Sequence, residues 1–482
     1  MNDVKQTPSS TSAASSLPVW QRMALLAVAA LAIAVVYDAL FLRMFSHWWF
    51  EDDPGQFAFV RRIANPISFF TDLRVIKGFG GGGAIVPFQA VSEWIDSSIA
   101  YRSVRFATWH NAVSLALILF LFFHILRRFA FTTGATVILV GLWLCLPATI
   151  AVNEFLSTRH YLEGFAAGLL AIIVAQSLAI GSWPENWKSI AVLSIATAHA
   201  LLYKEVFAIA TPVFLAFYLG AYGRRHAAAA ILVVLGLFFA YRFWVFGANV
   251  SYGLPFLGPS DYLRFLGRMP YIMVGNFGGY LLIALICVAF MASYRHRPIP
   301  LFTIAGGLFL LAAELAVIYP ISFSINQDWL QRGTWDRGLF VLSTTLLLIG
   351  GYLVARMQFT KRNVLVVILA FSVLIPGAVR ATQSWHRVMI RYKREGKFYL
   401  EHPDRLLYSE LPARWYFGGL IGLYDIPVRH HVLVAERNRI SRKEIERFST
   451  IWRFADGKFV PDPILYVELL NNPADADSNP RP

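Results

Sequence analysis

Three consecutive carboxylates, Glu51-Asp52-Asp53, follow Trp48-Trp49-Phe50 and precede Pro54. Adjacent acids repel one another, so a triplet beside an apolar run needs a reason. Two chemistries fit. A carboxylate held at a helix start and facing water can take the proton of an attacking hydroxyl as a general base. Carboxylate oxygens can equally share a divalent cation such as Mg or Mn. Asp53 before Pro54 also has the form of a helix start, with aspartate as the cap and proline at the first helical position. That structural reading covers Asp53 and leaves Glu51 and Asp52 unexplained.

Further polar residues recur at the ends of apolar runs. Lys204-Glu205 lies close to His199; a cation there suits a phosphate, and the alternative is a lysine reaching the interface and pairing with its neighbour. Between residues 152 and 161, Arg159 and His160 are of a type that contacts phosphate or a sugar hydroxyl, whereas the rest of that loop reads as a polar cap. The segment 321–337 carries Trp329, Arg332, Trp335 and Arg337 among amides and acids. Indoles beside polar groups suit sugar recognition, and they also form the aromatic belt of a membrane surface.

The elements that must position these residues follow from composition. Of 482 residues 57% are hydrophobic and 15% charged, with a mean hydropathy of +0.53. A soluble domain carries about a quarter charged residues. The apolar residues fall in runs of about 17–23, the length that crosses a hydrocarbon core. These runs lie near 20–42, 109–126, 132–151, 162–181, 188–203, 206–222, 227–246, 271–292, 299–320, 338–356 and 363–380. The expectation is an all-α polytopic membrane protein with about 11 transmembrane helices.

Orientation follows from lysine and arginine, which collect in short cytoplasmic loops. Arg127-Arg128, Lys188, Arg224-Arg225, Arg295 with Arg297, and Arg356 with Lys361-Arg362 fall in alternate loops. A cytoplasmic N-terminus makes all of them cytoplasmic and puts 43–108, 152–161, 247–270, 321–337 and the last hundred residues outside. The net charge of +14 is then largely a topology signal, and no nucleic-acid motif accompanies it. Asp38, Glu154, Glu163, His199, Lys204, Glu205 and Glu314 map to the outer ends of their runs, where ionisable groups are costly and functional by default.

Residues 1–19 read as a disordered cytoplasmic tail, 20–380 as the transmembrane domain and 381–482 as a small extracytoplasmic α+β domain. The first apolar run reads as an uncleaved anchor, since it continues past a small-residue stretch at Ala32 to Ala34. Cys145 and Cys287 lie within runs, which excludes a disulfide framework. In the first external loop, Phe57, Phe59, Val60 and Ile63 mark one amphipathic surface helix and Phe88, Val91, Trp94, Ile95 and Ile99 a second. Gly78 to Gly83 reads as a hinge between them rather than a dinucleotide fingerprint. Near the C-terminus, Val432-Leu433-Val434 and Ile464-Leu465-Tyr466-Val467 read as strands and Ser441 to Ile451 as a helix.

The string Asp52-Asp53-Pro54-Gly55-Gln56-Phe57-Ala58-Phe59-Val60-Arg61-Arg62, placed after the first span and leading into a surface helix, resembles the GT-C glycosyltransferases. Pro54-Gly55 departs from the usual start of that helix. The resemblance covers the first seven spans and their loops; the later spans and the C-terminal region belong to the variable part of that class. It implies transfer of a sugar, with inversion, from a polyprenyl-phosphate carrier to an extracytoplasmic glycan, lipid or protein in the bacterial inner membrane. Asp52 would then be the base, Asp53 its structural or assisting partner and Lys204 a ligand of the carrier phosphate; from the residues themselves, Glu51 reads as an adjoining substrate contact and Arg332 and Arg337 as further phosphate candidates. A polysaccharide polymerase or ligase is the alternative. A lipid or polysaccharide transporter fits less well, because neither internal repeats nor polar residues through the membrane depth are visible.

Overall fold

In a computed structural model of the chain the described residues are 18–42, 48–49, 53–80, 84–129, 131–204, 207–247, 361–402, 404–409, 414–425, 432–434, 442–455 and 458–471, with single positions at 260, 263, 340, 341, 344, 345 and 347. Four helical stretches are long and apolar enough to cross a membrane: Val19–Leu40, Val104–Arg128, Leu156–Ala179 and Arg225–Phe246. They match the runs predicted at 20–42, 109–126, 162–181 and 227–246. The runs at 271–292 and 299–320 and most of 338–356 lie outside the described residues.

Helix α1 (Val19–Tyr37) passes into a π-helical turn, Asp38–Leu42. Four short helices then make the first loop: α2 (Asp53–Arg61), α3 (Ser68–Thr71), α4 (Leu73–Phe79) and α5 (Pro87–Ala100). Helices α6 (Val104–Arg128), α7 (Thr133–Leu144), α8 (Pro147–Glu154), α9 (Arg159–Ala179), α10 (Trp187–Tyr203), α11 (Phe207–Ala221) and α12 (Arg225–Phe246) follow. The predicted run 132–151 is therefore two helices, not one. Proline has no N–H to donate and disfavours helical geometry in the residue before it, so the chain stops at Leu144 and restarts at Pro147.

Packing runs in order, α1 on α6, α6 on α9, α9 on α10 and α11, and α11 on α12. The largest core joins Leu115, Ile118, Phe122, Trp143, Leu162 and Leu169. Trp143 is fully buried and its indole N–H donates to Thr344 at 3.0 Å, satisfying the one polar group that the ring brings inside. On α12, Leu232, Val233, Leu237, Phe243 and Trp244 are exposed while Ile231 and Phe238 face the protein. An outward face of that composition needs an apolar solvent.

The long helix α13 (Lys361–Glu401) carries the last predicted apolar run and extends beyond it. Forty-one residues rise about 60 Å, twice the thickness of a hydrocarbon core, so α13 is too long to lie wholly within one. Beyond it come β1 (Leu406–Ser409), α14 (Arg414–Tyr424), β2 (Val432–Val434), α15 (Arg442–Ile445), β3 (Ile451–Ala455), β4 (Lys458–Asp462) and α16 (Pro463–Asn471). The sheet order is β2-β1-β3-β4, with β1 parallel to both neighbours and β3 antiparallel to β4.

Three local expectations are corrected here. Residues 464–467 are helical, because Asp462 accepts the amide of Leu465 at 2.9 Å and Pro463 opens the first turn, a start signal that outweighs the β-favouring residues behind it. The helix expected over 441–451 ends at Ile445, and Ile451 instead opens β3, where it pairs with Leu406 and Asp462. Gly78 is not in a hinge but inside α4, where a Cβ would lie 2.9 Å from the Phe59 ring; residues 81–83 lie outside the described ones.

Candidate functional site

Helix α5 is amphipathic in an unusual sense. Its buried face is polar, with Gln89, Ser92, Glu93, Asp96 and Ser97 turned inward, while Ile95 and Ile99 are exposed. The residues at 89, 92, 93, 96 and 97 follow helical spacing, so one stripe faces the protein. Of the apolar residues expected on its other side, Val91 and Trp94 pack against Val60, Phe69 and Phe79, Phe88 lies against Phe70 and His199, and only Ile95 and Ile99 of that stripe are left exposed.

The inward stripe meets the start of α9 and the start of α6. Arg159, with no exposed surface, donates from Nε to Asn111 Oδ1 at 2.8 Å, from Nη1 to Asp96 Oδ2 at 2.6 Å and from Nη2 to the Ala107 carbonyl at 2.9 Å. His110 Nδ1 lies 2.7 Å from Asp96 Oδ1 and its Nε2 3.1 Å from Glu163 Oε1. Both ring nitrogens thus face carboxylates, the arrangement of an imidazolium that donates at each end. Ser92 donates to the same Glu163 oxygen at 2.8 Å. Gln89 Nε2 faces Glu93 Oε1 at 2.7 Å, the Ser157 carbonyl at 3.0 Å and Gln56 Oε1 at 3.1 Å.

Asp53 joins this cluster from α2. The described part of α2 opens at Asp53, whose side chain is almost fully buried. Its Oδ1 accepts the amide of Ser157 at 2.8 Å across 104 residues of chain. The carboxylate therefore fastens the start of α2 to the turn between α8 and α9. Four carboxyl groups, Asp53, Glu93, Asp96 and Glu163, stand around the two cations Arg159 and His110. One oxygen of Glu93 and one of Glu163 are buried without a hydrogen-bond partner among the described residues.

Burial holds the Glu93 carboxyl protonated well above the ordinary glutamate range, against the opposing pull of Arg159 and the Gln89 hydrogen bond. The folded protein then keeps a proton that the unfolded chain releases above the ordinary glutamate value. Stability due to this group therefore declines as pH rises from there towards the folded value. Glu93→Gln has the same shape and does not titrate. It is expected to preserve the fold and flatten the decline, read as unfolding midpoints of parent and variant over about pH 5 to 9. Parallel midpoint curves for the two proteins would show that Glu93 is already ionised.

Of the other sequence-predicted residues, His160 is buried with its ring 4.5 Å from that of Tyr161. Lys204 is also buried, with Nζ 5.9 Å from the same Tyr161 ring. The His199 ring lies tilted 4.0 Å from that of Phe88 of α5 and edge-on 5.0 Å from that of Tyr203. The structure thus brings Asp53 and Arg159 to one cluster and sets His160, Lys204 and His199 on aromatic rings beside it. Glu51, Asp52, Glu205, Trp329, Arg332, Trp335 and Arg337 lie outside the described residues, as does the side chain of Glu154. Among the described residues no group of three or more histidine, cysteine or acidic side chains is placed to hold a metal ion.

Gln89, Ser92, Glu93, Asp96, His110 and Asn111 were not among the residues singled out in the sequence. Their signal was present as polar residues at 89, 92, 93 and 96, opposite the apolar stripe by which α5 was recognised.

The chain is similar to the crystal structure of ArnT from Cupriavidus metallidurans bound to undecaprenyl phosphate, at 12% sequence identity and a TM-score of 0.43, over 93% of this chain and 95% of that one. At that degree of likeness no residue role passes from one chain to the other. No family model matches the chain, and no curated protein does. The chemistry is therefore argued from the site itself. Buried carboxylates held by a buried guanidinium make a rigid, low-dielectric wall. In such a setting a neighbouring carboxylate is a stronger base and a neighbouring cation a stronger phosphate ligand than either is in water.

Proposed function

We propose that the protein is a membrane glycosyltransferase of the GT-C kind, moving a sugar from a polyprenyl-phosphate carrier to an extracytoplasmic acceptor with inversion. The observation that carries this reading is the seat of Asp53 on the Ser157 amide. It joins the acidic segment after the first span to the second external loop, beside the Asp96, His110, Glu163 and Arg159 cluster. In this reading the N-terminus is cytoplasmic, and the first external loop and the C-terminal segment lie outside a bacterial inner membrane. Nucleotide sugars are cytoplasmic, so a transferase working there takes a lipid-carried donor. Asp52 is the base for the acceptor hydroxyl, and Asp53 holds the helix start. Arg159, enclosed by protein partners, organises the cluster, while Lys204, Arg332 and Arg337 serve the departing phosphate. A phosphate leaving group needs no general acid, so a carboxylate and one or two cations suffice for the chemistry.

The test is incubation of the purified protein with a panel of polyprenyl-phosphate sugars and candidate glycan, lipid and protein acceptors, with release of the carrier as the readout. Lys204→Ala, Arg332→Ala and Arg337→Ala are expected to weaken donor use by about 1.5–3 kcal/mol for each charge-assisted contact made, with folded protein retained. Carrier release from no member of the panel would remove the proposal. Parental kinetics in all three variants would confine these cations to surface and topology roles.

A further inference from the structure

Helix α14 lies against α2 at backbone distance. A Cβ on Gly419 would sit 2.3 Å from the amide nitrogen of Gly55 and 2.7 Å from the Pro54 carbonyl carbon, closer than any real Cβ approaches a backbone. One turn on, a Cβ on Gly422 would meet Ala58 Cβ at 3.2 Å and Arg62 Nη2 at 3.0 Å. Gly418, on the same helix, faces open space. Residues 419 and 422 are three apart and so share a face, and that face is the one turned to α2.

The grip extends to both sides of this contact. Before Asp53, Trp48 Nε1 donates to the Tyr416 hydroxyl at 2.7 Å and Trp49 Nε1 lies 3.2 Å from the Tyr424 hydroxyl. The Tyr416 hydroxyl in turn donates to the Tyr392 carbonyl of α13 at 2.7 Å, which anchors α14. At the far end of α2, Asp425 accepts Arg61 at 3.0 Å, Arg102 at 2.7 Å and Tyr101 at 2.9 Å. The Arg61 guanidinium also lies 4.0 Å over the Tyr101 ring. Anchors thus stand before Asp53, along α2 and after it, all supplied by residues 416–425.

We infer that α14 is the positioning element of the candidate site: the Gly419 to Gly55 contact and the Asp425 latch set where α2 lies, and so hold the Asp53 carboxylate on the Ser157 amide. The C-terminal segment is then part of the transferring machinery and not an appendage to it. The catalytic half of this inference rests on the transferase reading; the seat of α2 does not. Gly419, Gly422 and Asp425 are positioning residues that act through Asp53.

The experiment pairs hydrogen exchange with kinetics on the full-length protein in lipid nanodiscs. Gly419→Ala must push α14 and α2 apart, whereas Gly418→Ala adds the same methyl to open space. Gly419→Ala is expected to speed exchange at the amides of Gly55 to Arg62. It should also lower turnover by about 10²-fold, the usual cost of roughly 1 Å of misplacement, while the donor KM changes little. Gly418→Ala should match the parent in both. Asp425→Asn, at an exposed residue and safe for folding, should speed exchange in the second half of α2 alone, and Asp425→Glu should restore it. Equal exchange in Gly419→Ala, Gly418→Ala and parent would overturn the inference, whether or not the parent transfers sugar. Faster exchange with parental turnover in an active protein would overturn its catalytic half. If the parent transfers no sugar, the transferase reading fails, and faster exchange in Gly419→Ala alone still supports α14 as the seat of α2.

Discussion

Asp52→Asn is expected to lower sugar transfer by about 10²–10⁴ while donor affinity and folded yield stay at the parental level, the loss that follows removal of a general base. Asparagine keeps the size and the hydrogen bonding of aspartate and removes only the basic oxygen. The interaction lost belongs to the transition state, so turnover falls and binding survives. The comparison variant is Asp53→Asn. The Asp53 carboxylate is buried against the Ser157 amide, and an amide oxygen can accept that hydrogen bond as well. A mild effect is therefore expected of Asp53→Asn. Asp53→Ala leaves the Ser157 N–H without this acceptor and should cost about 1–3 kcal/mol of stability. Single-turnover kinetics with a saturating donor and unfolding midpoints separate the outcomes. Near-parental turnover in Asp52→Asn ends its assignment as base, and a severe turnover loss confined to Asp53→Asn means the two aspartates have exchanged roles.

The spans were legible because a hydrocarbon core demands length and apolarity, both linear properties of the chain. Helices α6, α9 and α12 accordingly fall within a few residues of their predicted runs. The break at Leu144 to Pro147 was legible in principle, since proline is a local signal, but a hydropathy window averages over it. The same averaging hid the inward face of α5. Gln89, Glu93 and Asp96 read as the solvated side of a surface helix until α6 and α9 are seen to cover them. Whether a polar stripe faces water or a buried arginine depends on residues 63 positions away, as in the pair of Asp96 and Arg159. The sheet was harder still. Leu406-Leu407-Tyr408-Ser409 has no alternation of its own, and its parallel partners, Val432–Val434 and Ile451–Ala455, lie more than twenty residues downstream. The α14 contact carried a glycine pair three residues apart, Gly419 and Gly422, whose meaning depends wholly on which helix lies opposite.

The largest loss of stability is expected from Asp96→Ala. Arg159 is fully enclosed, and among the described residues Asp96 is the one carboxylate within direct hydrogen-bonding distance of its guanidinium, with Glu163 3.9 Å away. Taking the Asp96 side chain away leaves a buried cation without its nearest counter-charge and removes one partner of His110 as well. Breaking one member of a buried pair costs about 3–5 kcal/mol, because the remaining charge can neither rehydrate nor neutralise. Arg159→Lys is expected to fare nearly as badly as Arg159→Met. A single ammonium cannot reach Asn111, Asp96 and the Ala107 carbonyl from one point as the planar fork does. Replacing both partners should cost less than the sum of the two single changes, because the double variant Asp96→Ala with Arg159→Met strands no charge. Denaturant unfolding in detergent, read by intrinsic tryptophan fluorescence, gives all four values. A loss below about 0.5 kcal/mol in Asp96→Ala, the range of an unremarkable surface change, would mean that water reaches Arg159 and that the cluster does not fasten α5 to α6 and α9.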